Sequence, residues 1–183
     1  MYQKIQAAYE KQWGKPSEQI LPDLPNDLLK DFPDLKILVF PPTRTQPVWI
    51  YATVGMFDIA VGENTLPEIH LFSSEQNNEI LISALSRLME YSMETHLDFG
   101  QIFSCGKDVH TTCKHLLATF PFADGEGFPE LWIDDKEIQF IWLLPVSDSE
   151  SDYLKEHGYE SLDEKLFERE DINFFDWNRP SIL

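Results

Sequence analysis

Cys105, His110, Cys113 and His115 fall within eleven residues, and all four are side-chain types that ligate zinc. Their spacing, Cys-x4-His-x2-Cys-x-His, matches neither a finger nor a ribbon pattern. A buried thiol beside scattered histidines would look the same, and this plainer reading is preferred. No metal and no other cofactor is expected. Nucleophilic catalysis would need Cys105 as a thiolate, with His110 or His115 as its base. The chain has no Gly-x-Ser-x-Gly elbow, no phosphate loop and no dinucleotide glycine pattern. A structural thiol is again the plainer reading, and no enzymatic activity is expected. Asp134 and Asp135 are adjacent carboxylates, which point to opposite faces of a strand unless a turn reorients them. A solvated hairpin tip explains them. Asp58, with Glu63 nearby, reads as an Asx-type hydrogen bond holding a turn. In the tail, Asn178 and Arg179 sit among apolar residues and are expected to tie it down. Arg179 is suited to a bidentate pair with a carboxylate of the chain.

The elements that must position these residues are legible from periodicity. Ile138 to Leu144 is a short apolar run rich in bulky residues, which predicts a strand covered on both faces. Pro145 cannot donate to a ladder, so the strand is expected to stop there. Ser147 and Glu150 have capping-box spacing, opening a helix that ends near His157 with Gly158 in a left-handed conformation. Ser161 and Glu164 predict a second capping box, for a helix to about Glu168. Tyr2, Ile5, Tyr9 and Trp13 predict an amphipathic helix over residues 2–13. A helical turn is expected near Asp27–Asp31. Strands are predicted at 35–40, 48–54 and 68–72, the last two antiparallel, with a bulge or close backbone approach at Gly55. Ile80, Leu81, Ala84, Leu85, Leu88 and Met89 form one apolar stripe of a helix from about Asn77 to His96. One or two strands are expected between Phe99 and Phe122. Residues 128–133 and 137–144 read as a hairpin joined through 134–136. The tail from Ile172 to Leu183 is too apolar to dangle in water and is expected to dock on the core.

At 183 residues the chain is read as one domain, long enough to bury about 70% of its unfolded surface. Residues 1–34 form a helix and Pro-rich lead-in to the rest. No run of apolar residues is long enough to cross a membrane, and no secretion signal is read at the N-terminus. Two cysteines are too few for a disulfide framework, so a cytoplasmic location is expected. The net charge is −18, from 14 basic and 32 acidic residues. Such a surface repels nucleic acid and anionic membranes, and it speeds encounter with a basic partner. The pattern of consecutive strands with helices set apart predicts an α+β fold.

Several segments, in order, resemble the suppressor of fused (SUFU) domain family. Trp49-Ile-Tyr-Ala-Thr-Val-Gly-Met-Phe-Asp58 is similar to the family's strand ending in a Gly-Met/Leu-Ser-Asp turn, with Phe57 in place of the usual Ser. Pro67-Glu-Ile-His-Leu-Phe72 is similar to the strand that follows. Leu85 to His96 with Phe103-Ser-Cys-Gly-Lys-Asp108 resembles its long helix and the turn after it. Phe140 to Val146 and Lys155 to Gly158 resemble its last strand and helix. Asp176-Trp-Asn-Arg-Pro-Ser181 is similar to the closing segment of bacterial-type members. The resemblance covers residues 35 to the end. It implies a single α+β domain with a mixed, mostly antiparallel sheet packed by helices, which binds proteins without catalysis. In larger animal members such a domain, with a second one, clamps a peptide from hedgehog-pathway transcription factors, and this chain has no room for the second. Small bacterial members resemble immunity proteins that neutralise polymorphic toxins.

The expected function is therefore stoichiometric binding of a protein partner, a basic toxin domain. Tyr51, Asp58, Glu150, Asp152 and Glu156 are the candidate contacts. The alternatives are an adaptor without toxin biology, or an enzyme using Cys105 or a metal.

Overall fold

The computed structural model describes residues 1–106, 110–121, 127–169 and 171–183. Its centre is β8 (Lys136–Ser147), a strand of twelve residues that reaches both a parallel and antiparallel neighbours. On one side it pairs parallel with β4 (Thr65–Ser73), from Glu137 to Trp142. On the other it pairs antiparallel with β6 (Cys113–Thr119), and with β7 (Trp132–Ile133) through a tight hairpin. β5 (Ile102–Ser104) closes the far edge. Beyond β4 the sheet continues antiparallel through β3 (Trp49–Val54), β2 (Lys36–Phe40) and β1 (Glu18–Ile20). The result is one eight-stranded sheet, β1-β2-β3-β4-β8-β6-β5 with β7 attached to β8. It is mixed and mostly antiparallel, and the fold is α+β.

Alternation along β8 sends Ile141 and Leu143 to one face and Ile138, Phe140, Trp142 and Leu144 to the other. The first face is covered by α4 (Asn78–Glu94), through Leu81, Leu85, Leu88 and Met89, and by α2 (Asn26–Asp31). The second is covered by α1 (Tyr2–Trp13), through Ile5, Tyr9 and Trp13, and by α5 (Asp148–His157) and α6 (Tyr159–Phe167). A short helix, α3 (Met56–Ile59), follows Gly55 directly. The tail docks as its composition demands. Trp177 is buried, its indole N–H donates to the Phe72 carbonyl at 3.4 Å, and its own carbonyl accepts from the Cys113 amide at 2.8 Å.

Four local expectations are corrected. β8 does not stop at Pro145 but continues to Ser147. Pairing with β4 has already ended at Trp142, and the Pro145 carbonyl accepts from Arg179 Nη2 at 2.9 Å. The imide nitrogen lies on that same side, where no ladder bond is lost. Ser161 does not cap a helix. Gly158 ends α5 and begins α6 at once, and the Ser161 hydroxyl meets Tyr153 instead, at 2.9 Å. Gly158 has φ 84° and ψ 169°, a positive φ outside the left-handed helical region. The first strand of the hairpin is two residues long. Phe128, expected within it, instead stacks on Phe140 at 4.4 Å. Asp134 takes φ 51° in the turn, and both Asp134 and Asp135 are exposed at its tip.

Candidate functional site

The Gly55 turn is built around a buried carboxylate that the sequence reading passed over. Glu68, on β4, is fully buried and accepts from the Thr53 hydroxyl at 2.6 Å, the Gly55 amide at 2.7 Å and the Phe57 amide at 3.4 Å. Burial pushes its carboxyl up to about 8, against the lowering effect of these donors. Its signal in the sequence was a lone acid inside the apolar run Pro67-Glu-Ile-His-Leu-Phe72. Gly55 itself has φ 102°, and a Cβ there would meet the Tyr2 ring at 2.5 Å and the Leu35 Cα at 3.3 Å. The close approach expected at Gly55 is therefore real, and it belongs to a turn into α3 rather than to a bulge.

On the outside of this turn Asp58 is exposed, and Tyr2 donates to its Oδ2 at 2.7 Å. Burial, then Asp58, raises the pKa of the Tyr2 phenol. Phe57 packs edge-on against the same Tyr2 ring at 5.0 Å, so the turn anchors the start of α1. Asp58 holds α1 rather than its own turn, which corrects the Asx reading.

Of the other candidate contacts, Asp152 and Glu156 are exposed on α5, where Asp152 accepts from Lys155 at 2.8 Å. Tyr51 and Glu150 are buried. Tyr51 is buried on β3 with its hydroxyl donating to Asn78 Oδ1 at 2.6 Å, and burial pushes its phenol up to about 12. Glu150 completes the expected capping box with Ser147 and also carries the tail. Arg179 donates to Glu150 Oε1 at 2.7 Å and to Oε2 at 2.9 Å, and the Ile182 amide donates to Oε1 at 2.9 Å. Burial works to raise the Glu150 pKa, but Arg179 and the Ser147 and Ile182 amides outweigh it and hold it low. The bidentate pair expected of Arg179 is thus present and buried. Asn178 is exposed, and it is its backbone that ties down, the carbonyl accepting from the Thr112 hydroxyl at 3.4 Å.

The Cys/His segment does not assemble into a centre. Cys105 and Cys113 are buried free thiols, pushed by burial up to about 12 and about 11, and so are not thiolates at neutral pH. His115 meets Asp148 at 2.9 Å, and His110 is exposed. Among the described residues no group of three or more His, Cys, Asp or Glu is placed to hold a metal ion. Lys107 and Asp108, in the turn after the long helix, lie outside the described residues. The sequence could not say which aromatics are exposed. Tyr91, Phe120 and Trp132 are, at 36%, 56% and 53%. No helix among the described residues is long and apolar enough to cross a membrane.

Comparison with known proteins places this geometry. A stretch of 76 residues is 30% identical to the immunity protein YqcF of Bacillus subtilis strain 168, covering 42% of this chain and 39% of that protein. A SUFU homologue from Neisseria gonorrhoeae FA 1090 superposes with a TM-score of 0.78 at 22% identity, over 100% of this chain and 96% of that one. A chain of the Sufu–Fu complex gives a TM-score of 0.69 at 14% identity, over 99% of this chain and 90% of that one. Drosophila Suppressor of Fused gives 0.57 at 14% identity, over 81% of this chain and 42% of that one. At these identities the solved structures speak to the fold alone. The family model for the suppressor of fused protein (SUFU) matches residues 32–180, well over half of the sequence, and the chain belongs to that family.

Proposed function

We propose that this chain is a non-catalytic protein-binding domain, acting in the cytoplasm as an immunity protein that neutralises a basic polymorphic toxin by stoichiometric binding. The observation that carries the reading is the 30% identity to an immunity protein, within a family one of whose structures is a complex with a protein, Fu. The charge of −18 agrees with it, because an acidic surface speeds encounter with a basic partner. So does the state of the thiols: buried and protonated, they offer no nucleophile. Asp58, Asp152 and Glu156 are exposed acids proposed to steer the partner in. Tyr51 and Glu150 support the surface from within.

Affinity capture of the tagged protein from its native host tests the reading. Recovery of one basic polypeptide at near-equal stoichiometry is expected, and co-expression of this chain is expected to relieve the growth arrest which that polypeptide causes. Capture of a partner whose expression harms no cell would favour an adaptor. Recovery of nothing from cells that hold abundant folded protein would overturn the reading.

A further inference from the structure

We propose that the outer face of α4, between α2 and β5, is the docking surface for a basic, amphipathic segment of the protein partner. This deepens the reading above and rests on it in one respect, that the partner is a basic polypeptide. Arg87 and Tyr91, one turn apart on α4, form a ridge with a hollow on each side. One hollow, of about 770 Å³, opens toward Pro25 and Leu28 and reaches Met93. The other, of about 300 Å³, opens toward Ile102 and Phe103 of β5.

Apolar and charged side chains share this face, Pro25, Leu28 and Met93 standing beside Arg87, Glu90 and Glu94. Tyr91 is 36% exposed and rests edge-on against Phe103 at 5.1 Å. Leu21, the most exposed large apolar side chain described, at 63%, is two residues from Asp23, whose amide donates to Ser86 Oγ on α4 at 2.8 Å. An exposed tyrosine standing between two hollows is suited to anchor a partner. β5 ends the sheet. The Gln101 carbonyl and Cys105 amide bond to β6, so by alternation the backbone groups of Ile102 and Ser104 face outward.

The rim decides the sign of the occupant. Glu90 and Glu94 are exposed on α4 and take part in no ion pair among the described residues. Asp27 and Asp31 add two carboxylates from α2, the first paired with Lys30 at 3.3 Å. The last turn of α4 has no basic residue, so the negative end of its dipole is uncompensated there. Arg87 donates to the Cys105 carbonyl at 3.1 Å and keeps its charge, so the four carboxylates outnumber the two cations here, Arg87 and Lys30. One hollow holds Leu28 and Met93 beside Glu90 and Glu94, and the other holds Ile102, Phe103 and Leu116, which fits a segment that sets an apolar side chain in each and flanks them with lysine or arginine. An acidic segment would meet both the rim and the overall charge.

Titration of the isotope-labelled full chain with a short designed leucine–lysine peptide, followed by amide chemical shifts, tests this. Shifts confined to α2, α4 and β5 are expected, and the leucine–glutamate counterpart should leave the spectrum unchanged. Tyr91→Ala and the double variant Glu90→Lys/Glu94→Lys should each weaken binding about tenfold. Both alter exposed positions, and their spectra report directly whether the fold is kept. Shifts spread over α5 and the rest of the acidic surface, or an unchanged affinity in Tyr91→Ala, would overturn the assignment. A chain that gives this footprint yet protects against no toxin refutes immunity and leaves the groove standing. A chain whose protection survives both variants refutes the groove alone.

Discussion

Glu68 and Glu150 are both buried carboxylates, and their partners give them opposite behaviour. Glu150 faces the Arg179 guanidinium and is held ionised, whereas Glu68 has only neutral donors, and burial carries it up to about 8 from an ordinary 4.5. The folded chain therefore keeps a proton on Glu68 that the unfolded chain releases. Stability from this group is full below the unfolded value and is lost as pH rises toward about 8. Glu68→Gln imitates the protonated form, since the Thr53 hydroxyl can turn from the carboxylate to the Ile69 carbonyl at 3.3 Å. The wild type should lose urea resistance between about pH 5 and pH 8 more steeply than this variant. Equal slopes would remove Glu68 as the cause. Arg179→Met should cost about 3–5 kcal/mol in denaturant unfolding, because Glu150 is left as a buried, uncompensated charge. Adding Glu150→Gln should recover part of that loss, because glutamine carries no charge, although its single oxygen can accept from only one of the Ser147 and Ile182 amides. A double variant as unstable as the two losses summed would contradict this account. The Arg179 pair was legible because an arginine in an apolar tail has few ways to be satisfied. Glu68 was not, because its ligands come from a turn thirteen residues away in sequence.

Elements whose apolar pattern alone decides their burial were legible. The α4 stripe follows from a period of 3.6, and β3, β4 and β8 from short apolar runs buried on both faces. What failed were boundaries that depend on a neighbour. Pro145 breaks a strand only if a partner needs its N–H, and that depends on where β4 stops pairing. The two Ser-x-x-Glu sequences show the same limit. At Ser147 the box forms, with the hydroxyl accepting from the Glu150 amide at 3.3 Å and Glu150 Oε2 accepting from the Ser147 amide at 2.7 Å. At Ser161 it cannot, because Gly158 has already launched α6 and the residue sits inside its first turn. Ser147→Ala should therefore cost about 1 kcal/mol, and Ser161→Ala no more than about 0.5 kcal/mol. Chemical denaturation of the pair of variants checks this, and equal losses would show that both serines, or neither, act as caps.

The α5 acids and the proposed α4 contact fall on different faces of the sheet, and this separates their kinetic effects. Asp152 and Glu156 lie on α5, which with α1 covers one face of the sheet, whereas the α4 groove lies over the other. Acids remote from the contact act on a basic partner through the long-range field, which is screened over about 8 Å at physiological salt. They should raise the association rate at low salt and leave dissociation nearly untouched. Asp152→Lys/Glu156→Lys is thus expected to slow association several-fold at low ionic strength and to flatten its salt dependence, with residence time unchanged. Lys155 will partly offset the native field here, since it already meets Asp152 at 2.8 Å, so the loss should be smaller than two unpaired acids would give. Tyr91→Ala should do the reverse, shortening residence with little change in association. Stopped-flow association and surface-capture dissociation, run on the same captured partner, resolve the two. If the α5 variant instead shortens residence, the partner sits on α5, and Asp152 and Glu156 are contacts rather than steering charges. If it changes neither rate, these acids serve solubility alone and the encounter is steered from elsewhere on the surface.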